Sequence, residues 1–173
     1  YVKENRALEI QPVDPLERFR LVTVEILPGV QGTDGGEMQP INALFASGDF
    51  FGALGVGPVI GRTFTPADDV YGGGPDGAVA VVSEDLWRRR FRGSNDVLGS
   101  RLVVEGTPVT IVGVIPRRFR GVDVGQPFDI AMPFGVEPLI RGKRSVVTNQ
   151  RALLLTVIVR LRPGQTISAG TAA

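Results

Sequence analysis

The sequence predicts an α+β fold: a mixed sheet with short helices, arranged in two lobes. Three observations carry this expectation. Strand-forming runs recur along the chain from Arg18–Leu27 to Ala152–Leu161. Brief helix signatures, each with its own cap residue, fall between them. No regular strand–helix–strand alternation and no internal repeat is apparent, which sets the chain apart from the parallel α/β folds. The expected lobes are residues 1–70 with 151–173, and an insertion formed by 71–150.

The elements follow in order. In Arg18–Leu27 (RFRLVTVEIL), Phe19, Leu21, Val22, Val24, Ile26 and Leu27 alternate partially, as a half-buried strand does, and Pro28-Gly29 stops the run. Gly32–Gly36 reads as a turn and Ile41–Ala46 as a second strand. Ser47 opens a short helix with Phe50, Phe51 and Leu54 at helical spacing, and Gly55 stands where a left-handed C-cap belongs. Thr63–Asp69 (TFTPADD) reads as a helix entry, with Thr65 as N-cap, Pro66 at the first position, and Asp68 and Asp69 at the positive end of the dipole. Gly72–Gly77 is a loop. Ala78–Val82 is fully apolar, as in a strand covered on both faces.

Ser83 caps the next helix, Glu84–Phe91, whose apolar set is Leu86, Trp87 and Phe91. Asn95–Leu98 is one further turn. Arg101–Glu105 and Val109–Val114 form a hairpin around Glu105-Gly106. Arg117–Pro127 is an Arg/Gly loop, and Phe128–Pro133 reads as a short edge strand. Gly135–Gln150 carries few structural signals. Ala152–Leu161 is a strong β run, and Thr166–Ala173 resembles the start of a helix.

Composition bounds the chemistry. The 173 residues contain no Cys and no His. Disulfides, Cys or His metal ligation, a Cys nucleophile and a Ser–His–Asp relay are all excluded. Acid–base work near neutral pH falls to a shifted carboxylate, to Lys3 or Lys143, or to Tyr1 or Tyr71. Gly and Pro supply 36 of the 173 residues, but 43% hydrophobic content is too high for a disordered chain. The longest apolar stretch, Ala152–Val159, contains Thr156 and falls far short of the ~20 residues of a membrane span. The chain carries no signal peptide and opens on Tyr1 rather than Met, so an excised piece of a longer protein is expected.

The net charge of +1 hides a division. Residues 1–87 hold 5 basic and 13 acidic side chains; residues 88–173 hold 14 basic and 5 acidic. Arginine outnumbers lysine 17 to 2. The arginine runs 88–92, 117–120 and 141–144 suit phosphate or carboxylate contacts, although a solvated or ion-paired surface is the commoner use. No RNA-recognition, helix-turn-helix or zinc signature accompanies them, so no specific nucleic acid is expected. The candidate partner surface is Arg88, Arg89, Arg90, Arg92, Arg117, Arg118 and Arg120.

Other motifs carry less. Gly55–Gly61 (GVGPVIG) misses the dinucleotide fingerprint in spacing, contains Pro58 and follows a helix rather than a strand. Gly72–Gly77 lacks the Gly-Lys-Ser/Thr ending of a phosphate loop. Asp68/Asp69 and Glu84/Asp85 are candidate hard-cation ligands, but their place in predicted first helical turns already accounts for them. No catalytic residue, cofactor or metal site is assigned.

Three blocks together resemble the periplasmic core domains of MacB-like permeases. Ala46–Thr65 (ASGDFFGALGVGPVIGRTFT) resembles that family's V-S-G-x-Y/F-F-x-x-L-G-x-x-P-x-x-G-R-x-F block. Val79–Gly93 followed by Val97–Pro116 resembles its strand, Trp-bearing helix and V-G-x-x-L-x-x-x-G-x-x-x-x-V-V-G-V hairpin. Leu161–Gly164 (LRPG) resembles its L-K-P-G-V-T element. Residues 1–40 and 135–150 match poorly. The resemblance implies an ABC transporter permease of the MacB/FtsX-like kind, in the bacterial cytoplasmic membrane with this domain on the periplasmic side. It implies a non-enzymatic domain that couples ATP-driven motion of the membrane helices to export or partner contact. The implied partners are the transmembrane helices of the same polypeptide, a cytoplasmic ABC ATPase, a second permease copy and a periplasmic adaptor. The matching blocks build the fold, so the resemblance transfers no ligand-binding residue. A carboxylate-based cell-envelope hydrolase and a stand-alone binding or adhesion module are the alternatives.

Overall fold

The computed structural model describes residues 41–122, 127–145 and 147 in full, and the backbone of strand residues 2–3, 7–10, 19–26, 39–40 and 157–160. The strands are β1 (Val2–Lys3), β2 (Ala7–Ile10), β3 (Phe19–Ile26), β4 (Gln39–Ala46), β5 (Ile60–Gly61), β6 (Val79–Ser83), β7 (Arg101–Val104), β8 (Thr107–Ile115), β9 (Ile130–Pro133) and β10 (Val157–Arg160). The helices are α1 (Phe50–Leu54), α2 (Glu84–Phe91) and α3 (Glu137–Arg141), with single 3-10 turns at Asn95–Val97, Phe134–Val136 and Gly142–Arg144. This is the expected α+β class. The expected turn at Gly32–Gly36 and helix start at Thr166–Ala173 lie outside the described residues.

The chain divides into two compact units, Tyr1–Arg18 with Leu153–Ala173, and Phe19–Ala152. The division thus falls at 18/19 and 152/153 rather than at 70/71 and 150/151. Sheet pairing explains the difference: residues 19–46 supply two strands that pair with strands from 101–104 and 130–133. In the smaller unit β2 is the middle strand of three. It pairs antiparallel with β1 (Val2↔Leu8) and with β10 (Val157↔Ile10, Arg160↔Ala7).

The larger unit is built on a seven-stranded sheet in the order β5-β8-β6-β9-β4-β3-β7. An additional pairing joins β7 to β8, so six of the strands close into a ring. Closure leaves few backbone groups unpaired at an edge. Its hairpin is the one expected from Glu105-Gly106. Both residues take positive φ (47° and 85°), as a two-residue turn of the mirror-image kind requires, and Val104 pairs with Thr107.

Side chains alternate across the sheet and feed two cores. Ile41, Ala43, Phe45, Ala80, Val82, Leu102, Val104, Ile111, Ile130 and Met132 pack on one side, with Leu86, Trp87 and Phe91 of α2 and Ile140 of α3. Leu44, Ala46, Val79, Val81, Ile115 and Ala131 pack on the other, with Phe51 of α1, Phe64 and Phe128. β6 is therefore covered on both faces, as its unbroken apolar run predicts. β9 corrects an expectation: Phe128–Pro133 is no edge. Ile130, Ala131 and Met132 are fully buried, and β9 lies between β4 (parallel, Ala43↔Ile130) and β6 (antiparallel, Val81↔Ala131). Pro133 costs no ladder bond there, because it is the last residue of the strand.

α2 forms where expected. Ser83 is extended and its Oγ accepts from Leu86 N at 3.1 Å; Glu84 and Asp85 occupy the first turn, and Arg88, Arg89 and Arg90 the last. Ser83→Ala is expected to cost about 1 kcal/mol of stability in urea titration, and Ser83→Asp to retain most of it. No helix begins at Thr65. Residues 66–68 form only a turn, closed by Asp68 N and Asp69 N donating to Thr65 O (2.9 Å) and Pro66 O (3.2 Å). Conversely, Gly135–Gln150 contains α3, whose start is marked by Pro138 in its first turn and which buries Ile140, beside Val136 at its N-cap.

Candidate partner surface

The residue types that dominate the chemistry here are arginines and the carboxylates that hold them. Arg62 is heavily engaged. Its guanidinium forks onto Asp68, with Nη1 to Oδ2 at 2.8 Å and Nη2 to Oδ1 at 2.9 Å, while Nη2 also reaches Asp76 Oδ2 at 2.8 Å. Asp68 is 3% exposed, and its Oδ2 also accepts from Thr65 N (2.8 Å) and Thr65 Oγ1 (2.9 Å). The Arg62 guanidinium, with help from Thr65, holds the Asp68 carboxyl below its ordinary range against the opposing effect of burial. The same contact raises the pKa of Arg62. Asp69 is a structural staple: Oδ2 accepts from Gly48 N at 2.9 Å and Oδ1 from Gly135 N at 2.7 Å. These four bonds to Asp68 and two to Asp69, rather than a helix dipole, account for the acidic pair. The sequence signal was the Gly61-Arg62 step before Thr63–Asp69, which the helix reading passed over.

The second acidic pair lies where expected, in the first turn of α2. Glu84 Oε1 accepts from Arg88 Nε at 2.9 Å, and its Oε2 accepts from Arg117 N at 3.1 Å. These bonds, that from Arg117 N foremost, lower the Glu84 pKa. Asp85 Oδ1 lies 2.7 Å from Arg117 Nε. Among the described residues no group of three or more acidic side chains stands together as a metal site.

The seven candidate arginines separate. Arg88 and Arg117 meet at Glu84, the first through its guanidinium and the second through its backbone N–H, and Arg118 and Arg120 follow Arg117 on the same loop. Arg118 and Arg120 are both exposed. Arg89 pairs with Asp129 (2.9 Å), which also receives Asn42 N from β4. Arg90 is 7% exposed, so it does not belong to a surface. Arg92 is exposed but lies at the far end of α2, as its left-handed C-cap (φ 52°). In the third run, Arg144 reaches Glu105 (3.3 Å), and Arg141, packed over the Phe45 ring, reaches the buried Glu137 (3.4 Å).

The loop carrying Arg117–Arg120 is fixed from beneath. Phe119 N donates to Pro116 O at 2.9 Å, and the Phe119 ring stands 5.9–6.0 Å from Phe50, Phe51 and Phe128. One aromatic anchor therefore has an exposed arginine on each side.

The family of MacB-like periplasmic core domains matches residues 4–173. The chain belongs to the MacB-like periplasmic core domain family. That family comprises periplasmic domains of MacB-like ABC transporter permeases. In fold, the MacB-like chain is similar to the periplasmic region of MacB from Actinobacillus actinomycetemcomitans, at TM-score 0.60 and 15% identity, over 90% of this chain and 60% of that one. It is similar to the extracellular domain of the noncanonic ABC-type transporter YknZ from Gram-positive bacteria, at TM-score 0.50 and 19% identity, over 70% and 54%. It is also similar to a permease-protein domain from Porphyromonas gingivalis, at TM-score 0.50 and 23% identity, over 89% and 66%. The chain thus spans 60% of the length of the MacB periplasmic region. No curated protein matches it significantly. Among the described residues no helix is long and apolar enough to cross a membrane.

Proposed function

We propose that this MacB-like chain is the extracytoplasmic domain of an ABC transporter permease, joined to membrane helices of the same polypeptide and driven by a cytoplasmic ABC ATPase. Its role is mechanical: ATP-dependent movement of the helices reaches the periplasmic side through it, towards export or contact with a partner. A second permease copy and a periplasmic adaptor are the protein partners this reading expects. The family match over residues 4–173 is the observation that supports it. The ring of six strands with a core on each face adds a physical reason, since a body with few free edges and two packed faces moves as a unit.

The test uses the full-length permease. Tyr71 is 75% exposed, and the chain has no Cys of its own. Tyr71→Cys is expected to react with a membrane-impermeant maleimide in intact spheroplasts as strongly as after lysis, over the background of the parent protein. Labelling only after lysis overturns the location. For coupling, hydrogen exchange across residues 41–145 is compared with and without a non-hydrolysable ATP analogue, in complex with the ATPase. Altered protection in the domain is expected; identical protection overturns the coupling role.

A further inference from the structure

We propose that the surface formed by the start of α2 and loop 116–121 docks a carboxylate-rich segment of a partner protein. The proposal deepens the function above and rests on it only for the compartment in which the partner is met. The surface is built rather than accidental. Phe119 is turned into the cluster of Phe50, Phe51 and Phe128, so the backbone on either side of it is held. Glu84 accepts from Arg117 N, which ties the same loop to α2. The backbone that carries Arg118 and Arg120 is therefore held, and a partner has only their side chains to order.

The class of partner follows from three observations. Arg117 already holds a carboxylate, that of Asp85 at 2.7 Å, although both side chains are partly exposed. Asp85 thus occupies the position a partner's carboxylate would take, and the loop's competence for that ligand is visible in the chain itself. Arg118 and Arg120 have exposed guanidiniums with no ion-pair partner among the described residues, and the arginine fork matches a carboxylate bidentately. A membrane surface fits less well. Leu86, Trp87 and Phe91 of α2 are buried, Phe119 is anchored inward, and the exposed large apolar residues (Val59, Val70, Tyr71, Leu98, Leu139 and Val147) lie on other segments. Among the described residues the surface presents no large exposed apolar side chain to insert among acyl chains.

The 173-residue chain is titrated with a fluorescein-labelled polyglutamate peptide at low ionic strength, and separately with phosphatidylglycerol vesicles. Arg118→Glu with Arg120→Glu is expected to weaken peptide binding at least ~10-fold. Arg118→Lys with Arg120→Lys, which keeps the charge and removes the fork, is expected to give an intermediate loss. Asp85→Asn removes the internal competitor and is expected to tighten binding about 2- to 5-fold. Arg101→Glu with Lys143→Glu makes the same charge change at exposed positions elsewhere and is expected to leave affinity within about 2-fold. Circular dichroism and urea midpoints establish that each variant is folded. An equal loss in the Arg101/Lys143 variant, unchanged or weaker binding by Asp85→Asn, or arginine-dependent binding to vesicles but not to peptide overturns the proposal. If Tyr71→Cys labels from outside and the peptide does not bind, this inference alone fails; if it labels only after lysis, the location reading fails whatever the peptide does.

Discussion

Phe51→Ala is expected to lower the stability of the chain by about 3–5 kcal/mol, the range for emptying a fully buried aromatic position. Phe51 has no exposed surface, and its ring meets Phe50 and Phe64 at 5.1 Å and Phe119 at 5.9 Å, each nearly edge-on. The loss therefore combines transfer, cavity and edge-to-face contributions. Against a typical domain stability of about 5–15 kcal/mol it is a large fraction. Phe50, next in sequence and only half-buried, is the control: Phe50→Ala is expected to cost about 1–2 kcal/mol. Urea titration reads both. A cost below about 1 kcal/mol for Phe51→Ala, or equal costs for the two, would mean that the ring cluster is not the second core of the larger unit.

The local elements were legible because their signals are local. Ser83 before Glu84-Asp85, Glu105-Gly106 between two apolar runs, and Gly55 after Leu54 each specify a cap or turn within a few residues, and each stands as read (Gly55 with φ 67°). What was missed depends on partners far away in sequence. The shortness of Phe128–Pro133 suggests an edge strand. Its central place follows from pairing with Ala43–Ala46 on one side and Val81-Val82 on the other. The unbroken run Ile130–Met132 carried the same two-face signal as Val79–Val82, and shortness hid it. Ring closure through Val24↔Val104 has no local signature at all. Thr65-Pro66 failed for another reason. Cap and turn draw on the same residues, and Asp68 folds back to Thr65 and Arg62 instead of leading a helix.

The arginine surface was half legible. The runs stand out in the sequence, but pairing decides which members are available. Asp129 takes Arg89, burial removes Arg90, Arg92 stands apart at the far end of α2, and in loop 116–121 Arg118 and Arg120 are exposed with no ion-pair partner among the described residues. The blocks behind the family resemblance are explained differently. A Cβ on Gly48 would lie 2.5 Å from Pro66 Cα, and one on Gly113 would lie 2.0 Å from Arg62 O. Those glycines are required by backbone contact between segments, so at these positions the motif reports architecture.

Asp68→Asn is expected to cost about 2–3 kcal/mol at neutral pH, and the cost is expected to shrink as the solution is acidified. The side chain keeps its shape and loses its charge, so the fork from Arg62 and the two bonds from Thr65 lose a charged acceptor in a nearly buried position. Arg62 is 40% exposed, and solvent screening keeps the figure below that of a fully buried pair. The pH dependence has a definite sign. Arg62, foremost, lowers the Asp68 pKa in the folded chain, so the unfolded chain takes up the proton first as pH falls. The contribution is complete above the ordinary carboxylate pKa of about 4 and is lost as pH drops through the lower folded value. Urea titrations of the parent and of Asp68→Asn at pH 7, 4 and about 2.5 should then converge from the high-pH side, within the acid window alone. Arg62→Gln, which leaves Asp68 charged and deprives it of its main partner, should be worst at pH 7 and recover on acidification. A gap between parent and Asp68→Asn that stays constant from pH 7 to 2.5, or widens, would show that the carboxylate is not held by its charge. The bond set around Thr65 would then be acting as an ordinary neutral turn.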